Sequence, residues 1–431
     1  MQLCRSNAFT SLTTPGGIRD LQWGTMTWAY VLRPREMATF RRCRRAWDFG
    51  ARIRRNYVPA VPHRVFDFDK AIHDALAVYY FPAMDDWDRA IVRPLAIKGF
   101  LRSLGEDRAR YEQIVPLTPE QEEEWNQALE RGTAMLTGYF AWAGPLDTFA
   151  SIFSDQEFWA PIPDAANPGS DLVNTAGREI RYLGRVDQLF SDLNDEYWIA
   201  DHRIVGNEWE NDDQLLLDLE GLAALWATEQ TYPQLRIAGT VYNELRVDAE
   251  PGSYLGLNVE EADGFDARAA GRTMRRPRHI HTRRSPLSPE PPDPLEAILS
   301  PQLSAEGQAV DYIDSRETGE WFRRTYVRRG RTSVRNIGLL MAAEATMVAS
   351  PDVPVYPTPS GENCGMCVFQ APCIAVNAGT DPGPILETSF RVRTEEEGEE
   401  DRLRWSIGRA QTRTSMSGKD SRPDTVNLHW G

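Results

Sequence analysis

GRVDQLFSDLNDEYWIADHRIV, residues 184–205, is the stretch on which the fold turns. Its two ends alternate apolar and polar residues, the period-two pattern of strands, and the polar segment between them reads as a hairpin. Asp187 lies on the first strand and Asp201 ends the second. Two carboxylates on neighbouring strands can share a hard divalent cation, the arrangement that metal-assisted phosphodiester hydrolysis requires. Two residues beyond Asp201 stands Arg203.

Upstream of this hairpin, IFSDQEFWAPI from residue 152 reads as a strand. Downstream, DDQLLLDLEGLAALWATEQ (212–230) reads as a helix and RIAGTVYNELRV (236–247) as another strand. Strand–strand–strand–helix–strand is a compact α/β core. The spacing predicts a helix over about 34–53 and mostly helix over 66–150, with apolar residues at helical intervals in AIHDALAVYYF and AMLTGYFAWAG. A strand-like GEWFRRTYVRR and a helix VRNIGLLMAAEATMVA follow the Pro-, Gly- and Arg-rich residues 248–300. The divisions expected are a disordered leader (1–33), a helical region (34–151), the core (152–247), an insertion (248–304), a helix and cysteine segment (305–392) and a flexible tail (393–431). Met26 or Met37 is an alternative start.

The chain has 431 residues, 41% of them hydrophobic and 13 of them Trp, enough to bury a substantial core. No run of apolar residues is long enough to span a membrane and no secretory leader is recognisable, which points to the cytoplasm. Net charge is −15, yet the basic residues are clustered, at 33–55, 268–284 and 323–335. Clustered arginines suit a polyanion, and Arg323, Arg324, Arg328 and Arg329 are candidate phosphate contacts. Lysine is scarce: Lys70, Lys98 and Lys419 are the whole complement. Any chemistry that needs a lysine therefore has few candidates. His279 and His281 form an H-x-H without further ligands nearby, which is not a metal site by itself.

Three of the five cysteines form Cys364-x2-Cys367-x5-Cys373, and a fourth, Cys43, lies on the N-terminal helix. A buried free thiol suffices for Cys4 but explains the C-x2-C-x5-C cluster poorly; such thiolates bind zinc or an iron–sulfur cluster.

Together these residues resemble the RecB-family branch of the PD-(D/E)XK nuclease superfamily, over about residues 37–392. The likeness is to phage-encoded and CRISPR-associated exonucleases that carry an iron–sulfur cluster. MATFRRCRRAWDF resembles the family's opening helix, FDKAIHDAL its histidine motif and YLGRVDQLF the motif of its first acidic residue. WIADHRIV resembles the strand ending in D-x-K, DLEGLAALWA the next helix, and VYPTPSGENCGMC to VNAGTD the C-terminal cluster segment. No one piece suffices; their order and spacing make the combination specific.

The resemblance implies a restriction-endonuclease-like core, with a mixed central sheet flanked by helices. It implies a Mg²⁺ or Mn²⁺ site of His73, Asp187 and Asp201 with the His202 carbonyl. It also implies a 4Fe–4S cluster on Cys43, Cys364, Cys367 and Cys373 that ties the two ends of the chain together. The side chain of His202 points to the opposite face by strand alternation and is left out. Three residues depart from the family pattern: Arg203 for Lys, Glu220 for Gln, and Asp69 where Gly is common. Arg cannot act as a base, although it can clamp a phosphate. Lys70, one turn before His73, is a candidate substitute, and Glu220 a candidate extra ligand. The expected activity is a metal-dependent DNA nuclease, most simply an exonuclease of phage or bacterial DNA processing. The alternative is a DNA-binding member weakened in catalysis by Arg203.

Overall fold

The two acidic strands lie side by side within a seven-stranded sheet. The computed structural model describes residues 30–164, 166–167, 169–174, 177, 179–255 and 310–394. The sheet runs β1 (Tyr30–Leu32), β4 (Ile180–Ser191), β5 (Tyr197–Val205), β6 (Ile237–Arg246), β8 (Phe322–Arg328), β7 (Tyr312–Thr318), with β3 (Ala150–Pro161) against β4. It is mixed: β1 is parallel to β4 and β5 to β6, and every other pairing is antiparallel. The architecture is therefore α/β with a mixed central sheet flanked by helices.

Each face of the sheet buries its own cluster. On one side, α1 (Pro34–Arg42), α7 (Leu219–Thr231) and α9 (Arg331–Ala349) cover Val186 and Ile199 with Met37, Phe40, Leu222, Trp226, Ile337 and Met341. Helix α9 lies close to α7 because residue 338 is Gly: a Cβ there would come within 2.6 Å of the Trp226 indole nitrogen. On the other side, α3 (Phe68–Tyr79), α4 (Arg89–Glu112) and α5 (Pro119–Ala143) cover Ile204, Leu245 and Phe322 with Leu76, Phe100, Leu136, Tyr139 and Phe140. Helix α5 starts at Thr118, whose side chain and that of Gln121 form a reciprocal capping box.

Two helices read as continuous in the sequence are broken. Residues 34–53 form α1 and α2 (Arg44–Gly50), separated at Cys43, whose backbone is extended. Residues 212–230 form α6 (Asp212–Leu216) and α7, separated at Leu217–Asp218, where Asp218 caps α7 by accepting from the Glu220 and Gly221 N–H groups. Strand β1 falls inside the expected leader, and β7 was not anticipated. The 248–304 insertion begins with a short helix, α8 (Pro251–Leu255). Its remainder, with His279 and His281, lies outside the described residues, as do Cys4, Lys419 and the tail beyond 394. Two segments distant in the chain meet: β2 (Tyr57–Pro59) pairs with β9 (Phe390–Val392) in a two-stranded ribbon. Among the described residues, no helix is long and apolar enough to cross a membrane.

Candidate functional site

Strand β4 has a divided edge. β3 lines one side of it almost throughout, whereas the other side pairs with β1 at 180–182 and with β5 at 188–191. Residues 183–187 pair with neither, so β4 and β5 part beyond the Gln188–Ala200 pair. Asp187 and Asp201 are the first residues past that fork, one on each arm.

At the fork the Asp187 carboxylate takes over the role of a backbone acceptor, receiving the His202 N–H at 2.8 Å. His73, on the second turn of α3, brings Nδ1 to 3.1 Å from the same carboxylate oxygen, Oδ2, and Nε2 to 3.6 Å from Asp69. The imidazole is only 2% exposed, and neither ring nitrogen has a hydrogen-bond partner with proper geometry. A buried imidazole left open beside a carboxylate is costly unless something else takes its lone pair. Burial, and then the charge of Asp201, push the Asp187 carboxyl well above the usual carboxylate range. Both observations fit a cation in this corner, and imidazole with two carboxylates is a donor set for Mn²⁺ or Mg²⁺. Among the described residues, no three His, Cys, Asp or Glu side chains are already drawn around one point.

Strand alternation alone sets the His202 ring apart from the site, yet it is not remote: its centroid lies 6.0 Å from that of the His73 ring. The ring stacks on Tyr80 with centroids 5.6 Å apart, and its Nδ1 lies 3.2 Å from the Asn243 amide nitrogen. Arg324 Nε donates to the Asn243 carbonyl oxygen at 2.7 Å. That orientation aims the Asn243 NH₂ at His202, which makes Nδ1 the acceptor and keeps it unprotonated.

Arg203 turns inward rather than towards an open site. Its Nε donates to Asp201 at 2.8 Å, and its two terminal nitrogens donate to Glu210 and Asp218. The guanidinium carbon sits 4.3 Å above the Tyr242 ring. Burial works against the charge, but Asp218 and Asp201 outweigh it, so the guanidinium is more firmly protonated than usual. Reciprocally, burial would raise Asp218, yet Arg203, the Gly221 N–H and the Tyr242 hydroxyl hold it below the usual carboxylate value. Glu210 and Asp218 were not foreseen from the sequence; the aspartate before L-E-G, an N-capping residue type, was the available signal.

The chain matches no protein-family model and no curated protein.

The remaining candidates need correction. Lys70 does not reach the fork: its ammonium lies 2.9 Å from Ser103 Oγ and 3.4 Å from Asp107 on α4, and 3.6 Å from Asp74. Glu220 lines a small cleft with Arg41, Tyr182 and Met341 under α1. Nor do the arginines of β8 present a basic face. Arg323 is paired with Glu244 at 2.6 Å, and Arg324 reaches Asp147 at 2.9 Å with the hydroxyls of Tyr80 and Tyr139 close by. Arg329 donates to Asp311 and to the Leu215 and Leu216 carbonyls. All three are buried, and an arginine already desolvated onto protein acceptors does not serve a phosphate. Arg328, partly exposed, is bound to Glu196 and Asp314.

Cysteines from two distant segments lie near one another, though not drawn close enough to hold a metal ion as they stand. Cys43 sits at the break between α1 and α2. Cys364 and Cys373 lie in the short helices Gly361–Gly365 and Gln370–Asn377, with Cys367 between them. Cys43, Cys367 and Cys373 pack on one apolar cluster of Ala46, Phe49, Phe369, Leu386 and Phe390. Burial, with Cys43 nearby, pushes the Cys367 and Cys373 thiols up. All four are free thiols, the donor chemistry that a cluster of soft metal ions takes.

Proposed function

We propose that the protein is a divalent-metal-dependent phosphodiester hydrolase acting on DNA, related to the RecB-family PD-(D/E)XK nucleases and braced by a 4Fe–4S cluster. The observation that carries this is the buried imidazole of His73, whose ring nitrogens make no hydrogen bond yet face carboxylates, Asp187 at 3.1 Å and Asp69 at 3.6 Å, at the fork where Asp201 is the neighbouring carboxylate. A divalent ion held by these three residues would neutralise charge building on the scissile phosphate and acidify the attacking water. The protein's own part is positional. The His202 N–H fixes one Asp187 oxygen, Asn243 and Tyr80 fix the His202 ring, and Arg203 fixes Asp201.

Hydrolysis adds water across the P–O bond and leaves a phosphate monoester and a free hydroxyl. Protein with Mn²⁺ or Mg²⁺ is therefore expected to release nucleotides or oligonucleotides from single-stranded DNA, and Asp201→Ala to abolish release. Equal release by both proteins overturns the assignment of the site. For the cluster, protein purified without oxygen should be brown and Cys367→Ala colourless; a colourless wild type with stoichiometric zinc overturns it.

The second reading is a DNA-binding member of the same fold with little hydrolysis. It is favoured by Arg203, whose donors are spent on three carboxylates. Salt-sensitive DNA binding without metal-dependent release would select it.

A further inference from the structure

Asp201, Glu210 and Asp218 come from a strand end, a loop and a helix cap, and all three place a carboxylate oxygen on the one guanidinium of Arg203. Their side chains are 26%, 15% and 10% exposed, and that of Arg203 is 5% exposed. Three carboxylates gathered at this depth repel one another strongly unless a cation lies among them. Tyr242 closes the cage: its ring faces the guanidinium, and its hydroxyl donates to Asp218 at 3.0 Å. The other charged groups at the rim are spoken for. Arg323 binds Glu244 and the Glu210 carbonyl, and Arg329 binds Asp311 and the Tyr242 hydroxyl.

We propose that Arg203 is a built-in cation, holding inside an Asp201–Glu210–Asp218 cage the place that a second divalent ion would otherwise take. Hard oxygen donors from three separate elements, sharing Asp201 with the neighbouring His73–Asp187 corner, have the chemistry of a divalent-ion site, although with the guanidinium among them they are not drawn close enough to hold an ion. Arg203 is thus a positioning residue. It anchors Asp201 through charge and geometry while leaving room for a single exchangeable ion at the fork. This accounts for arginine at residue 203: its three separate nitrogens each reach a different carboxylate, whereas an ammonium's three donors share one nitrogen. The cage stands on its own contacts; the number of ions expected in the wild type rests on the metal-site reading above.

The test counts ions on the full chain, with Mn²⁺ alone as the probe, by equilibrium titration and by electron paramagnetic resonance of the free ion. Arg203→Ser is expected to bind one Mn²⁺ more than the wild type. In EDTA it should melt lower than the wild type, and Mn²⁺ should raise its melting temperature by more than it raises the wild type's. Arg203→Ser/Glu210→Ala should lose the extra ion. A folded Arg203→Ser with the wild-type count overturns the proposal, whether that count is none, one or two. A wild type with no ion and a variant with one keeps the cage and removes the His73 site, so the two ideas fail separately. Glu210→Ala in the wild-type background covers a serine variant that fails to fold. It should leave the Mn²⁺ count unchanged, since a guanidinium and not an ion fills the cage, and loss of an ion overturns the proposal.

Discussion

Asp218→Asn is the sharpest probe of how the site is held together. The substitution keeps the volume and one oxygen, which can still cap Gly221 and accept from the Tyr242 hydroxyl; it replaces the charge, and the acceptor of the Glu220 N–H, with a neutral amide. In the wild type that charge faces one arm of Arg203, and the same carboxylate accepts from Gly221 N–H at 3.0 Å, Glu220 N–H at 3.2 Å and Tyr242 at 3.0 Å. Removing one partner of a buried ion pair costs about 3–5 kcal/mol when the other charge is orphaned. Here Asp201 and Glu210 still hold the guanidinium, so the loss should lie nearer the ~1.5–3 kcal/mol of a charge-assisted hydrogen bond. The pH dependence follows from the sign of the shift. Asp218 is held below its unfolded value, so its contribution is complete above the unfolded carboxylate pKa of about 3.9 and is lost as pH falls through the folded value. Urea midpoints followed by tryptophan fluorescence should therefore separate wild type and variant by a constant amount from neutral pH down to about pH 5 and converge in stronger acid. A difference below about 0.5 kcal/mol at neutral pH, the scale of an ordinary surface change, refutes the picture of a buried clasp. So does a difference that widens on acidification.

Three further perturbations read other parts of the molecule. His73→Ala should weaken Mn²⁺ binding by more than the ~10–100-fold that loss of an outer-shell partner costs, and unchanged affinity by titration would remove His73 from the ligand set. Phe49→Ala removes a ring stacked 5.4 Å from Phe369 beside the cysteines. It should cost about 3–5 kcal/mol and expose the 30–59 segment to limited proteolysis ahead of the sheet; cleavage at the wild-type rate argues against a clamp. Gly239→Ala would place a Cβ 2.0 Å from the Val327 carbonyl oxygen between β6 and β8. The expected outcome is insoluble protein, and a soluble variant with wild-type circular dichroism contradicts the close approach.

The hairpin at 184–205 was legible because strand alternation is local, and it placed Asp187 and Asp201 correctly on neighbouring strands. The C-x2-C-x5-C segment was legible from its spacing; that Cys43 lies on the same apolar cluster as Cys367 and Cys373 was implied only by the family resemblance. What the sequence hid were partners distant in the chain. Arg324 looks solvent-ready beside Arg323, but its acceptor Asp147 is 177 residues away and Glu244, the acceptor of Arg323, is 79 away. Nothing in a run of arginines reports that β8 is an interior strand between β6 and β7. The breaks at Cys43 and Asp218 were lost for a related reason: the apolar spacing continues through each, and only the tertiary role of the residue explains the interruption. β1 and β9, three residues each, carry too short a pattern to read.

The fork also makes one backbone proton an informant. Inside a sheet an amide hydrogen reports on its neighbouring strand, but the His202 amide is bonded to the Asp187 side chain instead. Its exchange with deuterium and its chemical shift therefore track the electron density on a carboxylate. Protonation, an arriving cation or a changed residue at 187 would each register there, while the amides of Ile199 and Ala200, inside the regular ladder, serve as the internal reference. A single resonance would then follow the state of the acidic corner without substrate or dye.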